Sequence, residues 1–393
     1  MKYFLIVLAS AFSLGCHSRA TDSLRTQVEQ PSPQVTVKTI NSTLQRNENP
    51  LLSQWVSQRL RTSNSLIRVQ ILNNSQGWSA TSEGILFTMK PDQSWREIRT
   101  VPMPKSAYLT DLFFLDGSTG WISLSRSELH FDESTKQGSY DIAAWIMNTT
   151  DQGRTWKQSY SFEGAQILQL LFLNDSEGWA VGRRVSTSET DANFVVHTTD
   201  QGKSWNDISD KLPADTGIYK VASRSAGNVV VFTGKGVLYS TTDGGTNWRR
   251  IGAYSDEHNQ VAVHRLGMNK HHRLCIVGGS GGLEGTLSVF ACEDANNSWI
   301  SHVLGGVFVN DAVFLADGRI LACGFIAKEN DPIGVGGEAA ILVSEDEGKS
   351  WSVVYRNPDV KSLNALAAID SQHIWAVGAK GLVVRFDSSS EKR

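Results

Sequence analysis

The sequence has little net charge and few residues that stiffen or cross-link a chain. Its 37 basic and 40 acidic side chains leave a formal charge of −3 over 393 residues. A balance so close to neutral gives no reason to expect binding to nucleic acid, which depends on concentrated positive charge. There are only 9 prolines but 34 glycines and 12 tryptophans. This composition suits an all-β repeat protein with many turns.

The chain also lacks clear signatures of a metal, a cofactor or a phosphate site. His271 and His272 are adjacent, and on a strand they would point to opposite faces, so shared metal ligation is not expected. Residues 278–285 are rich in glycine, but no Lys-Ser or Lys-Thr pair follows them, as a phosphate-binding loop would require. We therefore expect neither a metal nor a cofactor.

The apolar run at the N-terminus is too short to be a membrane anchor of the mature protein. Lys2 precedes the run at residues 3–14, and Cys16 follows Gly15 directly, as in a bacterial lipobox, although Ser13 replaces the usual aliphatic residue. We predict that residues 1–16 are a signal peptide with lipidation at Cys16. The product would be an exported, membrane-anchored lipoprotein facing the periplasm or cell exterior. Ordinary secretion and an uncleaved or cytosolic form remain open alternatives.

A polar segment follows the signal peptide. Residues 17–50 are rich in Ser, Thr, Gln, Asn and Pro, which predicts a flexible linker. Residues 35–40 alternate as a strand would, but the stretch is short and isolated, so we assign it to the linker too.

Three cysteines remain beyond Cys16. Cys275 and Cys292 flank a turn whose centre lies near residues 281–285, so they could face each other across a hairpin. A disulfide and two reduced cysteines are both compatible with the sequence. Cys323 is expected to be a buried thiol.

One short segment recurs along the chain. Residues 149–156 read Thr-Thr-Asp-Gln-Gly-Arg-Thr-Trp, and related copies lie at 89–95, 198–205, 241–248, 292–299 and 344–351. The chemistry is that of a hairpin turn: the Asp accepts backbone N–H bonds, the Gly takes a positive φ, and the Trp covers the turn. We assign this structural role to Asp151, Gly153, Trp156, Asp200, Gly202, Trp205, Asp243, Gly245, Trp248, Asp346, Gly348 and Trp351.

A second motif accompanies the first. Residues 178–182 read Gly-Trp-Ala-Val-Gly, and residues 374–378 repeat all but the first residue. The turn resembles the Asp-box, or BNR repeat. The paired motifs resemble the propellers of photosystem II stability and assembly factors in cyanobacteria and chloroplasts, and of their relatives in non-photosynthetic bacteria. This resemblance extends over residues 51–387 and implies a β-propeller that docks protein partners.

The number of repeats predicts the architecture. Seven tryptophans follow the turns, namely Trp55, Trp95, Trp156, Trp205, Trp248, Trp299 and Trp351. Seven second-strand positions match them, namely Trp78, Trp121, Trp179, Val230, Cys275, Leu321 and Trp375. Their spacing of about 40 to 60 residues is that of a four-stranded propeller blade.

The ends of the repeat region predict how the ring closes. The last repeat lacks an outermost strand, and Trp55 lies in an outermost-type strand with no blade before it. We therefore predict an all-β fold at residues 51–387. It is a seven-bladed β-propeller of four-stranded antiparallel blades, in which residues 54–58 complete the last blade. Residues 388–393 form a tail.

A polar residue lies near the start of each predicted innermost strand. The set is Arg68, Asp111, Gln169, Lys220, His264, Asp311 and Asn364. These residues should surround the mouth of the axial channel, opposite the Asp-box turns. Either they line a wet channel without further role, or they form a site for a ligand or partner peptide. Four long loops should open on the same face, at 126–142, 183–193, 278–285 and 326–338.

Two classes of function fit these features. Sialidases also carry Asp-boxes, and Arg68 lies near the place of their first arginine, but its flanking residues differ and no late tyrosine stands out as a nucleophile. We expect no enzyme but a scaffold that binds a protein partner, tethered to the membrane by its lipid. The alternative is a glycan-binding or sialidase-like glycoside hydrolase propeller.

Overall fold

The strands form seven separate sheets in the computed structural model. The structure describes residues 37–45 and 54–387, except for 133, 135–136, 186–191, 214–216, 226, 255–261, 283–284, 294–297 and 329–336. The signal peptide, including Cys16, and the C-terminal tail lie outside the described residues.

Three strands precede the repeats: β1 (Val37–Asn41), β2 (Thr43–Gln45) and β3 (Trp55–Arg59). Blade 1 contains β4 (Leu66–Asn73), β5 (Gln76–Thr81), β6 (Ile85–Met89) and β7 (Trp95–Thr100). Blade 2 contains β8 (Tyr108–Phe114), β9 (Gly120–Asp132), β10 (Gln137–Thr149) and β11 (Lys157–Glu163). Blade 3 contains β12 (Ala165–Phe172), β13 (Gly178–Arg184), β14 (Ala192–Thr198) and β15 (Asn206–Asp207). Blade 4 contains β16 (Ile218–Ser225), β17 (Asn228–Thr233), β18 (Val237–Thr241) and β19 (Arg249–Ala253).

Blade 5 contains β20 (Ala262–Met268), β21 (Leu274–Gly282), β22 (Gly285–Glu293) and β23 (Trp299–Gly305). Blade 6 contains β24 (Val307–Phe314), β25 (Ile320–Ala327), β26 (Gly337–Ser344) and β27 (Ser350–Asn357). Blade 7 contains β28 (Leu363–Ala368), β29 (Ile374–Gly378) and β30 (Leu382–Phe386), completed by β3. Single 3₁₀ turns lie at Ser209–Lys211 and Ala379–Gly381.

The blades form a closed ring. Within blades 1 to 6 the four strands run antiparallel in chain order from the innermost strand outward, and in blade 7 the outermost place is taken by β3. The innermost strands β4, β8, β12, β16, β20, β24 and β28 each contact the next, and β28 contacts β4. The predicted seven-bladed propeller is therefore confirmed.

Strand β3 makes the seam of the ring. It pairs antiparallel with β30, with Trp55 opposite Phe386 and Arg59 opposite Leu382. The rings of Trp55 and Phe386 meet edge to face with their centroids 5.2 Å apart. The prediction that an N-terminal strand completes the last blade is thus confirmed.

The linker prediction is wrong for residues 37–45. Strand β1 pairs in parallel with β23 at the outer edge of blade 5, and β2 pairs in parallel with β27 at the outer edge of blade 6. An outer strand leaves a row of unpaired N–H and C=O groups, and this segment satisfies them. The partner edges lie more than 250 residues away in the chain, so local sequence could not reveal them. The rest of the predicted linker lies outside the described residues.

The Asp-box turns are built as the sequence predicts. The Asp151 carboxylate accepts the Thr155 hydroxyl at 2.6 Å and the Thr155 amide at 2.8 Å. These two bonds are the main reason that the pKa of Asp151 falls to about 2, and Ser204 has the same effect on Asp200. The Trp156 indole donates to the carbonyl of Gly153 at 3.1 Å, and Gly153 has a φ of 86°. The carboxylate thus holds the turn closed and is committed to structure.

Packing between blades explains why the two motifs occur together. Trp121, from the second strand of blade 2, lies beneath the Asp-box of blade 3, where a Cβ on Gly202 would come within 2.7 Å of its Nε1. Trp179 of blade 3 lies in the same way beneath Gly245 of blade 4. The boxes of blades 2, 3 and 4 therefore contact the tryptophan of the preceding blade, whereas Gly348 in the box of blade 6 lies against Phe290 and His302 of blade 5.

The structure resolves the alternatives for the cysteines. Cys275 and Cys292 lie opposite each other on β21 and β22 and form a disulfide, with their Cα atoms 4.1 Å apart. Cys323 is a free thiol, fully buried, and burial raises its pKa well above the usual value.

Within the described ranges, no helix has the length and apolar character needed to cross a membrane.

We predict that Gly202→Ala lowers the free energy of unfolding by about 2–4 kcal/mol, because the new methyl group combines a strained positive φ with a clash against Trp121. Gly227 is the matched control, since it also has a positive φ but a Cβ there would meet nothing within 4 Å. Gly227→Ala should cost only about 1 kcal/mol. Urea denaturation measures both, and equal losses would contradict the proposed contact between blades.

Candidate functional site

All seven innermost strands carry a β-bulge near their first residues. In each, one residue has no partner on the second strand, and the ladder resumes after it. The bulged residues are Ile67, Thr110, Leu168, Tyr219, His264, Asn310 and Asn364. A bulge bends its strand and redirects the neighbouring side chains.

The residues directly after the bulges form a structurally equivalent set, which we call the mouth ring. Its members are Arg68, Asp111, Gln169, Lys220, Arg265, Asp311 and Ala365. The set chosen from the sequence, the polar residue near the start of each predicted innermost strand, contains five of these residues. Its other two members, His264 and Asn364, are bulged residues. The error has a physical cause: a bulge adds one residue to a strand without a distinctive sequence, and both bulged residues are polar.

Two acidic members of the mouth ring bond the backbone of the following blade. Oδ2 of Asp111 accepts the Leu170 amide at 2.8 Å, and Oδ2 of Asp311 accepts the Leu366 amide at 3.0 Å. Such amides lie on the axial edge of an innermost strand, where no further strand can pair with them. The carboxylates replace that missing partner.

Amide side chains make further bonds of this kind. Gln169 accepts the Val221 amide at 3.0 Å and donates to the Val221 carbonyl at 3.1 Å. The bulged Asn364 of blade 7 donates to the carbonyl of Leu66 in blade 1 at 2.9 Å. These polar residues therefore fasten neighbouring blades, a structural role that the sequence could not separate from ligand binding.

Both arginines of the mouth ring pair with the carboxylate of the following blade. Nε of Arg68 lies 2.8 Å from Oδ1 of Asp111. Nη1 of Arg265 lies 3.7 Å from Oδ1 of Asp311, a longer contact, and its side chain is 43% exposed. Each carboxylate thus serves both an arginine and a backbone amide.

Lys220 is the exception. The next member of the mouth ring is Arg265, which has the same charge, and Lys220 makes no hydrogen bond or ion pair with any residue that the structure describes. Burial lowers the pKa of its ammonium to about 8; Arg68 and Arg265 lower it as well, while Asp111 and Asp311 oppose them. Lys220 holds the same place in blade 4 as Arg68 and Asp111 hold in blades 1 and 2, so it lies among the residues of the mouth ring.

His264 adds no positive charge at neutral pH. Burial, and then the charges of Lys220 and Arg68, lower the pKa of its imidazole to about 3. Its ring lies against Phe308, with centroids 5.4 Å apart, and its Nε2 is buried with no hydrogen-bond partner among the described residues.

Two of the four predicted loops on this face are hairpins. Strands β9 and β10 stay paired out to Asp132 and Gln137, and β21 and β22 out to Gly282 and Gly285. The loop prediction is wrong for these segments, because both strands extend beyond their neighbours. Parts of the other two, 186–191 and 329–336, lie outside the described residues.

The longer hairpin arm, in blade 2, presents an apolar surface. Leu129, Phe131 and Tyr140 are 56%, 59% and 62% exposed. Leu129 lies directly opposite Tyr140, and Phe131 follows two residues later on the same side of the strand.

A cavity of about 580 Å³ extends along the innermost strands of blades 5 to 7, from Arg265 of the mouth ring to the strand ends on the opposite face. Arg265, Phe314, Asp317, Ile369 and Asp370 are among its lining residues. No group of three or more His, Cys, Asp or Glu suited to a metal ion is found among the residues that the structure describes.

We predict that Asp111→Ala lowers the free energy of unfolding by about 2–4 kcal/mol, because it leaves the buried Leu170 amide without an acceptor and Arg68 without its counterion. The matched control is Asp141, which also pairs with an arginine, Arg126, but whose side chain is 38% exposed against 11% for Asp111. Asp141→Ala should change stability by about 1 kcal/mol at most. Similar losses in the two variants, measured by chemical denaturation, would rule out the blade-fastening role.

Comparison with known proteins agrees with this architecture. The profile of a family described as photosynthesis system II assembly factor YCF48 matches residues 127–257, about a third of the chain. No curated protein matches the sequence.

Similar solved structures cover most of the chain at low sequence identity. YCF48 bound to D1 peptide has a TM-score of 0.57 and 18% identity, covering 89% of this chain and 100% of its own. YCF48 from Cyanidioschyzon merolae has a TM-score of 0.55 and 16% identity, covering 86% and 100%. The WD40 β-propeller domain of Doa1 has a TM-score of 0.53 and 12% identity, covering 85% and 96%. At these identities the likeness establishes the fold alone. Together with the sequence match, it identifies the chain as a BNR/Asp-box repeat propeller that resembles the photosystem II assembly factors.

Proposed function

We propose that this protein is a non-catalytic scaffold of the photosystem II assembly-factor type, which binds a polypeptide on the face of the propeller that carries the mouth ring. The observation that carries the proposal is the combination found on that face. An exposed apolar hairpin arm extends beyond blade 2, and Lys220, a cation with no partner among the described residues, belongs to the mouth ring. Apolar contact area next to a charged anchor is typical of protein-binding surfaces.

The similar propellers support a polypeptide as the ligand. One of them is a YCF48 bound to D1 peptide. This chain shares its fold, and the family match begins at residue 127 and so includes the exposed Leu129, Phe131 and Tyr140 of the hairpin arm.

The chemistry of the polar residues supports a role without catalysis. Arg68, which lies near the place of the first sialidase arginine, is held by Asp111 in the mouth ring. The Asp-box carboxylates are committed to their turns by bonds such as those of Asp151 and Asp200. Groups engaged in this way are poorly placed to act on a glycoside.

Attachment to the cell envelope belongs to the same proposal. The lipobox-like Cys16 would carry the lipid. The Cys275–Cys292 disulfide supports export, since disulfides persist in oxidising compartments outside the cytosol.

We expect photo-crosslinking to separate the two faces of the propeller. A benzoylphenylalanine replacing Tyr140 on the hairpin arm should crosslink to a discrete polypeptide in cells of the source organism. The same residue replacing Lys203, exposed on an Asp-box turn of the opposite face, should not. Mass spectrometry of the adducts identifies the partner.

Equal crosslinking from both positions, or none from position 140, would refute the proposal. Binding to a glycan array together with an absence of crosslinks would favour the glycan-binding alternative. Hydrolysis of a fluorogenic sialoside would favour the enzyme.

We expect Cys16→Ser to move the protein from the membrane fraction to the soluble fraction, because the lipid has no other attachment point in the lipobox. Fractionation and labelling with an alkyne palmitate analogue measure the two effects. Ser18→Ala, two residues away, should leave both unchanged. Retention of Cys16→Ser in the membrane with undiminished label would exclude lipidation at this cysteine.

A further inference from the structure

The mouth ring follows a simple pairing pattern, and Lys220 departs from it. Acidic and amide members accept the backbone N–H of the next blade, which arginine and lysine cannot do because they only donate. Arg68 and Arg265 cannot accept such a bond, and each instead forms an ion pair with the aspartate of the next blade. The next member of the mouth ring after Lys220 is Arg265, and its positive charge repels the Lys220 ammonium.

Among the residues of the mouth ring, the charges therefore do not balance. Arg68, Lys220 and Arg265 contribute three positive charges, and Asp111 and Asp311 contribute two negative ones. His264 is neutral at pH 7. One positive charge is left over, and it lies on the residue that has no partner among those described. A cation withdrawn from bulk water without a counterion is costly, and an incoming anion would relieve that cost.

We infer that Lys220, together with Arg265, forms a subsite for one carboxylate group of the polypeptide bound at the mouth, either an acidic side chain or a C-terminus. This inference rests on the proposed function and specifies the chemistry of the partner. A carboxylate carries a single negative charge, which matches the surplus of one.

The geometry of Arg265 favours its participation. Its contact with Asp311 is 3.7 Å, longer than a charge-assisted hydrogen bond, and its side chain is 43% exposed. Its guanidinium therefore has donors available for a second carboxylate. Arg68 is held more closely, at 2.8 Å from Asp111.

The protonation state of Lys220 agrees with this role. With its pKa at about 8, the ammonium remains mostly charged at pH 7 despite burial. Arg68, Asp111, Asp311, Arg265 and the neutral His264 are the groups that act on it or lie beside it.

A random peptide library displayed with free C-termini provides the test. Selection at pH 7 on the wild-type protein should enrich peptides with Asp, Glu or a terminal carboxylate at one fixed position. Lys220→Met should lose that enrichment and bind a selected acidic peptide about 10- to 100-fold more weakly. Lys220→Arg, which keeps the charge, should retain the preference.

The control variant is Lys235→Met, which removes an exposed lysine from the β17–β18 turn on the same face of the same blade. It should bind like wild type. Replacing the acidic residue of the peptide by its amide should weaken binding to wild type but not to Lys220→Met. The melting temperature of Lys220→Met should be no lower than that of wild type, because the change removes a cation that has no partner among the described residues. Lys220→Gln serves as a second neutral variant.

The outcomes separate the two proposals. If peptides are enriched without an acidic preference, or if both neutral variants keep that preference, the carboxylate subsite is wrong and the polypeptide-binding function stands. If no peptide is enriched, the binding function fails and the subsite fails with it.

Discussion

The inner edge of each blade is the constraint on which the ring depends. An innermost strand pairs with only one neighbour, so the backbone groups on its axial side need partners that no strand can supply. A buried amide left without an acceptor costs about 1–3 kcal/mol. This protein meets the need with side chains from the preceding blade, as Asp111 does for Leu170 and Gln169 for Val221. The bond from Asn364 to Leu66 joins the last blade to the first.

The outer edges present the same problem, and the chain meets it differently. Strands β1 and β2 cover blades 5 and 6, and β3 completes blade 7. The described N-terminal segments thus attach to three successive blades on their outer side. Between the edges, the Asp-box turns of blades 2, 3 and 4 rest on tryptophans of the preceding blade, as Gly202 does on Trp121. Contacts between blades are therefore made at both edges and on the face of the turns.

The sequence revealed the parts of this fold that repeat. The Asp-box needs an aspartate, a glycine and a tryptophan at fixed spacing because each has a local task in the turn, and that pattern predicted seven blades and the seam at Trp55. The strands at residues 37–45 escaped prediction because their partners are distant in the chain. The hairpin arm of blade 2 was taken for a loop because charged and hydroxyl side chains surround its apolar residues, and Leu129, Phe131 and Tyr140 are exposed instead of forming a buried face.

The candidate site was harder to predict for a related reason. Alignment of the innermost strands located Arg68, Asp111, Gln169, Lys220 and Asp311. It could not detect the bulges, and so it chose His264 in place of Arg265. Nor could sequence distinguish an aspartate that bonds a neighbouring amide from a lysine that has no partner among the residues the structure describes. That distinction is spatial, and it separates the residues that hold the ring together from the one that we assign to binding.

The fastening of one blade by the side chains of the preceding blade is most directly tested by amide hydrogen exchange measured by NMR. The account predicts that the amides of Leu170, Val221 and Leu366 are protected as strongly as those paired within a blade, and that Asp311→Ala removes the protection of Leu366 alone. Rapid exchange of these amides in the wild-type protein, or unchanged protection of Leu366 in the variant, would contradict it.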